Sequence, residues 1–152
     1  MLDLLADRRF KVLVFLFALY QAGHLGTNAL YFAGSIEFPP PPASGVWEPQ
    51  IRPWFDAIAA ADSVVSVLSL VFAAGCFRRR SWSLWVGLVA MTASVYSSAV
   101  FGYACSLSGT WETHVGSQIL IYLTYLPAYV LYGWMCVSFH RGLAAREDGK
   151  AA

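Results

Sequence analysis

Four apolar stretches, at roughly 11–33, 54–77, 82–104 and 114–139, leave this chain few ways to fold. Each is longer than the ~20 residues that an α-helix needs to cross the hydrocarbon core of a bilayer. Charged residues make up 12% of the sequence, against about 25% in soluble domains, so half of the usual polar coat is missing. The expected fold is all-α: an integral membrane four-helix bundle forming a single domain over residues 1–152.

The punctuation between the stretches fits that outline. Arg8, Arg9 and Lys11 before an apolar run have the form of a signal peptide, but the run continues to Ala33, so an uncleaved first helix is expected. Pro39 to Pro42 cannot be helical and are expected to form a stiff extended piece. Pro53 suits the first turn of the second helix. Gly75 and Arg78–Arg80 are expected to end that helix in a tight turn, and Gly109 marks the short loop before the fourth. Glu147 to Ala152 reads as a frayed tail.

The basic residues orient the bundle. Arg8, Arg9, Lys11, Arg78, Arg79, Arg80, Arg141, Arg146 and Lys150 fall on one side, and Arg52 alone on the other. The positive-inside rule places both termini in the cytoplasm, which means the inner membrane in a bacterium or the endoplasmic reticulum in a eukaryote. Trp47, Trp54 and Trp111 then mark the outer boundary, and Trp82, Trp85 and Trp134 the inner one, as an aromatic belt.

Several function classes drop out. A net charge of +1 suggests no nucleic-acid partner. Cys76, Cys105 and Cys136 are scattered, without the spacing of a zinc site or a redox pair, and they read as small apolar fillers. No metal and no cofactor is expected. Paired haem ligation needs two histidines at one depth, whereas His24 is buried and His114 lies at the boundary. There is no channel filter or charged ring, no nucleotide loop and no nucleophile motif.

What remains is polar chemistry inside the apolar stretches. Tyr20, Gln21, His24, Thr27, Asn28 and Tyr31 recur at spacings of three and four, so they share one face of the first helix. A polar stripe is expected to point into the bundle, either for helix–helix hydrogen bonding or as a pocket lining. Asp62, followed on its face by Ser66 and Ser69, is a carboxylate inside a membrane helix, a cost of about 3 kcal/mol on insertion scales and a functional-site hypothesis by default. Asp62 lies about 12 Å below Trp54, and His24 about 14 Å below Ala33, at 1.5 Å of rise per residue. The two therefore share a depth, and a contact between them, direct or through water, is expected. Alternatively, Asp62 bonds to serines or tyrosines and His24 is satisfied in the core.

The third helix repeats small residues at Ala90, Ser94, Ser98 and Gly102, a close-packing face for helices or protomers. The fourth carries His114, Gln118, Tyr122, Tyr125, Tyr129 and Tyr132 as one continuous face. Such a tyrosine ladder offers flat apolar surface with hydroxyl tips. It suits a hydrophobic-ligand cavity, a cation site or ordinary bundle core. Pro127 is expected to kink this helix.

The chain resembles the EXPERA-domain family, which includes the sigma-2 receptor and the emopamil-binding protein, a sterol isomerase. The resemblance runs from Arg8 to Arg141. It rests on the paired arginines, His24-Leu25, Pro53-Trp54-Phe55, Asp62 eight residues after the tryptophan, the turn from Gly75 to Arg80, Glu112-Thr113-His114, and Tyr125-Leu126-Pro127-Ala128-Tyr129. DoxX-like four-helix membrane proteins are a looser match. The EXPERA resemblance implies a four-helix bundle with a hydrophobic pocket for sterols and cationic amphiphilic compounds, with homodimers common. For the isomerase branch it implies two buried acids that move protons while a double bond migrates. One matches Asp62. The other position, four residues after the histidine, holds Asn28, a neutral amide that cannot carry the proton, and His24 is the candidate substitute.

Three functions are therefore expected as alternatives. The first is a membrane protein binding a sterol-like, isoprenoid or other lipidic or cationic amphiphilic ligand through Asp62, His24, Asn28, Gln21, Thr27, Gln118, Tyr122, Tyr125 and Tyr129. The second is a double-bond isomerase with Asp62 and His24 as acid and base. The third is a non-catalytic accessory subunit of a membrane complex, packing through the small-residue face of the third helix.

Overall fold

The structure is a computed structural model and describes residues 2–38, 41, 43–45 and 49–148. Among these, every regular element is helical: a 3-10 turn over Leu2–Leu5, then α1 (Arg8–Phe32), α2 (Arg52–Phe77), α3 (Trp82–Leu107), the single turn α4 (Thr110–Thr113) and α5 (Val115–Asp148). α1, α2, α3 and α5 are each long and apolar enough to cross a membrane.

The helix ends depart from expectation for local reasons. α1 begins three residues before position 11 because the Asp7 carboxylate accepts hydrogen bonds from the backbone N–H groups of Arg9 (2.6 Å) and Phe10 (3.1 Å). These N–H groups have no partner inside the helix, and a cap of this kind contributes about 1 kcal/mol. Asp7→Ala is therefore expected to raise amide hydrogen exchange at residues 9 and 10 about fivefold, with exchange in α3 unchanged as the internal control. α2 starts two residues before Trp54, with Pro53 in its first turn as expected. α3 runs three residues past 104 to Leu107.

The fourth stretch is divided. Gly109, in the left-handed region at φ 71°, leads into α4, and His114 (φ −129°, ψ 37°) breaks the helix before Val115. α5 then continues nine residues past 139, to Asp148. Glu147 and Asp148 are thus helical, not part of a frayed tail. Ala144, Ala145, Arg146 and Glu147 are strong helix formers, and a polar residue ends a membrane span without ending a helix. Residues 149–152, the prolines at 39, 40 and 42, and Trp47 lie outside the described residues. Pro41 has no regular structure.

α2 packs extensively along α1 and α3, and α5 closes the ring more loosely against α1 and α3. The helices therefore follow one another round the bundle in chain order. In the half nearer the termini the core is apolar and filled. Phe10, Val14 and Phe17 of α1 meet Phe72, Ala73 and Cys76 of α2, Leu84 and Met91 of α3, and Leu131, Met135 and Phe139 of α5. A smaller cluster around Phe55, Ala104, Cys105, Phe101 and Trp111 closes the opposite end. The polar side chains lie between these clusters. The outside of the bundle is apolar too: Leu19, Val64, Val89, Leu120 and Leu123 are each 60% exposed or more.

Candidate functional site

The site rests on a polar layer at the middle of the bundle. The Gln21 amide of α1 donates to Ser94 Oγ of α3 at 3.0 Å, and its carbonyl accepts from Ser66 Oγ of α2 at 2.8 Å. Ser94 is in turn hydrogen-bonded to the Tyr125 hydroxyl of α5. One side chain from each long helix thus enters a single buried network. A half-satisfied network would be costly in an apolar core, so this layer fixes the register of all four helices. Two further tyrosines pack against the Tyr125 ring, one tilted and one edge-on. Tyr125 meets Tyr20 at 5.1 Å and Tyr129 at 4.9 Å between ring centroids.

Above the layer a cavity of about 580 Å³ opens between α1, α3 and α5. Tyr20, Gly23, His24 and Thr27 line it from α1, Asp62 from α2, Ser94, Ser98 and Phe101 from α3, and Tyr122, Tyr125 and Pro127 from α5. Leu16 and Leu19 stand at its rim on α1, and Ile121 and Leu123 on α5. Leu19 and Leu123 also face outward, 62% and 60% exposed, so the α1–α5 seam is the mouth. Pro127 shapes that wall. It lacks the N–H that would bond the Leu123 carbonyl one turn earlier, which leaves an acceptor beside the mouth.

His24 and Asp62 form the ionisable end of the cavity. His24 Nε2 lies 3.6 Å from Asp62 Oδ2, with side-chain exposures of 24% and 11%. The common depth deduced from helix rise thus brings them within ion-pair distance. Tyr20 meets the His24 ring edge-on at 5.8 Å. Ser97 of α3 offers Asp62 a hydroxyl. The end therefore presents a carboxylate, an imidazole and a phenol to one space. Among the described residues no group of three or more metal-binding side chains occurs.

The nine residues expected to bind divide in two. Asp62, His24, Thr27, Tyr122 and Tyr125 line the cavity. The other four stand behind its wall. Gln21 is held in the polar layer. Asn28 donates to the Ala59 carbonyl (3.1 Å) and to Ser63 Oγ (3.3 Å), tying α1 to α2. Tyr129 is hydrogen-bonded to Ser98 at 2.7 Å. Gln118 is fully buried near Cys105, and its amide makes no hydrogen bond of good geometry.

Helical spacing missed other parts of the wall. Ser94 and Ser98 belong to the small-residue face of α3. That face is occupied within the chain: Ser94 and Ser98 bind tyrosine hydroxyls, Tyr122 donates to the Ser98 carbonyl at 2.9 Å, and Gly102 lies so close to the Tyr122 hydroxyl that a Cβ would clash. Phe38 stacks on Phe101 at 5.9 Å from the α1–α2 connection, and no periodicity marks a loop residue. His114, expected on the ladder, instead has Nε2 3.1 Å from the Pro41 carbonyl.

No family model, no curated protein and no solved structure matches this chain.

Proposed function

We propose that this chain is a multi-pass membrane protein with both termini in the cytoplasm, and that the cavity between α1, α3 and α5 binds a lipidic ligand. The ligand class is sterol-like, isoprenoid or cationic amphiphilic, with its polar group at Asp62 and His24 and its apolar body along Tyr122, Tyr125 and Phe101. One observation carries the reading: an apolar cavity with a single ionisable end opens through an apolar seam. Its volume falls in the range of small-molecule sites, about 300–1,000 Å³. The apolar outside supports the membrane placement, as does the gathering of eight of the nine cations among the described residues at one end. The resemblance to EXPERA-domain proteins supports the same ligand class.

The proximity of His24 and Asp62 supports a second reading, double-bond isomerisation. One group would donate a proton to an alkene carbon, and the other would take one from the allylic carbon, so the double bond shifts with no net change in atoms.

Gly23 provides the test of binding. It lines the cavity, and nothing lies within 4 Å of where its Cβ would be. Gly23→Trp is expected to fill the space without displacing the helix, and to add helix propensity. A ligand at a hundred times its Kd stabilises the wild type by about 2.7 kcal/mol. Thermal unfolding in detergent with added sterol or cationic amphiphile is expected to show that stabilisation in the wild type and none in the variant. Equal stabilisation of both would place binding elsewhere.

A further inference from the structure

The turn joining α2 to α3 holds Arg78, Arg79 and Arg80, all exposed. Its backbone is closed by hydrogen bonds from Arg79 N–H to the Cys76 carbonyl (3.0 Å) and from Arg80 N–H to the Gly75 carbonyl (2.9 Å). The Ser83 hydroxyl donates to the Arg80 carbonyl at 2.6 Å. This closure puts Arg79 at φ 54°, where among the described residues it is alone among non-glycines. The left-handed conformation after a helix is the place where glycine fits without penalty and other residues are strained. The chain keeps an arginine there, which is a reason to look for what its charge does.

Other cations share that end of the bundle. Arg8 and Arg9 lie at the start of α1, followed by Lys11, and Arg141 lies near the end of α5; Arg8, Arg9 and Arg141 are exposed. Among the described residues none of these seven cations is in an ion pair. Asp7 is engaged as the cap of α1, and residues 75–85 contain no acid. Trp82 and Trp85, 49% and 56% exposed, flank the turn at the level where indole rings sit among lipid headgroups.

We infer that this basic face, centred on the Arg78–Arg80 turn, binds the headgroups of anionic phospholipids in the leaflet it meets. The inference rests on the membrane reading above and is independent of the cavity. Basic clusters beside a membrane span attract anionic lipid with about 1 kcal/mol per cation, or about fivefold in affinity. Arginine adds a planar fork that can hold two phosphate oxygens at once.

The probe is a detergent micelle carrying equal amounts of dioleoylphosphatidylglycerol and dioleoylphosphatidylcholine, with retained lipids counted by native mass spectrometry. The wild type is expected to retain phosphatidylglycerol preferentially, and less so as salt rises. Arg79→Gly is expected to weaken that preference about fivefold while leaving the unfolding temperature the same or higher, because the strained position is relieved. Arg78→Gln, Arg79→Gly and Arg80→Gln together are expected to weaken it roughly a hundredfold. A purely structural role for Arg79 would lower the unfolding temperature in Arg79→Gly and leave the lipid ratio alone. Equal retention of the two lipids by the wild type, or an unchanged ratio in the triple variant, overturns the inference. Retention of neither lipid, with the protein monodisperse in the absence of detergent, overturns the membrane reading as well.

Discussion

Asp62→Asn is expected to weaken binding of a cationic amphiphile roughly tenfold to a hundredfold, because a hydrogen bond to a charged partner contributes about 1.5–3 kcal/mol. Affinity for a neutral sterol is expected to change by less than about threefold, since the amide keeps the size and one acceptor of the carboxylate. Competition against a labelled amphiphile, in parallel with a labelled sterol, reads both numbers. Misfolding does not account for such a split. A carboxylate within a membrane helix costs about 3 kcal/mol on insertion scales, so the variant is expected to insert at least as well as the wild type. If instead the cavity is an isomerase site, the same substitution abolishes double-bond migration, as does His24→Ala, and gas chromatography of a candidate sterol shows it. Equal losses for cation and sterol would mean that Asp62 supports the bundle and does not meet the ligand.

The second large effect lies in the filled half. Gly87 of α3 is buried, and the ring of Phe72 from α2 occupies the place where its Cβ would go. Phe72 is itself fully buried and packs against Phe17 of α1 at 6.5 Å. Any side chain at 87 must push out Phe72 or separate α2 from α3. Overpacking of this kind costs about 1–3 kcal/mol, occasionally more, and Gly87→Leu, four carbons in a fully occupied space, belongs at or above the top of that range. Phe72→Ala alone is expected to cost about 3–5 kcal/mol through the void it leaves. Combined, the two are expected to be milder than their sum, because the leucine enters the void, and the cycle measures that coupling. Denaturant unfolding in micelles reads all four proteins. Strict additivity would show that the α2–α3 contact is not the one described.

Much of this was legible in the residues, and particular residues show why. The long apolar runs specify helices because, in an apolar setting, only a helix satisfies the backbone of such a run within the run itself. The three- and four-residue spacing of Tyr20, Gln21, His24, Thr27 and Asn28 placed them on one face, and rise per residue placed Asp62 beside His24. Spacing identifies a face; it does not say which side chain is taken by a neighbour. Asn28 and Gln21 face inward as expected, but Ala59, Ser63, Ser66 and Ser94 satisfy them. Those partners sit on other helices, at positions only the packed bundle defines. Ser94 and Ser98 read as close-packing residues because small size marks both a tight contact and a cavity wall. Phe38 reaches the cavity from a connection whose path no periodicity predicts. Asp7 and the helical run through Asp148 follow from capping and propensity, local effects that a search for apolar length overlooks.

The central claim is that the cavity between α1, α3 and α5 holds one lipidic molecule. Native mass spectrometry of the wild-type protein, released gently from micelles beside Gly23→Trp, tests it directly. In micelles free of phospholipid, the account predicts one retained sterol-like, isoprenoid or amphiphilic molecule per chain in the wild type and none in the variant. A bare wild-type chain, or the same adduct on both proteins, would contradict it.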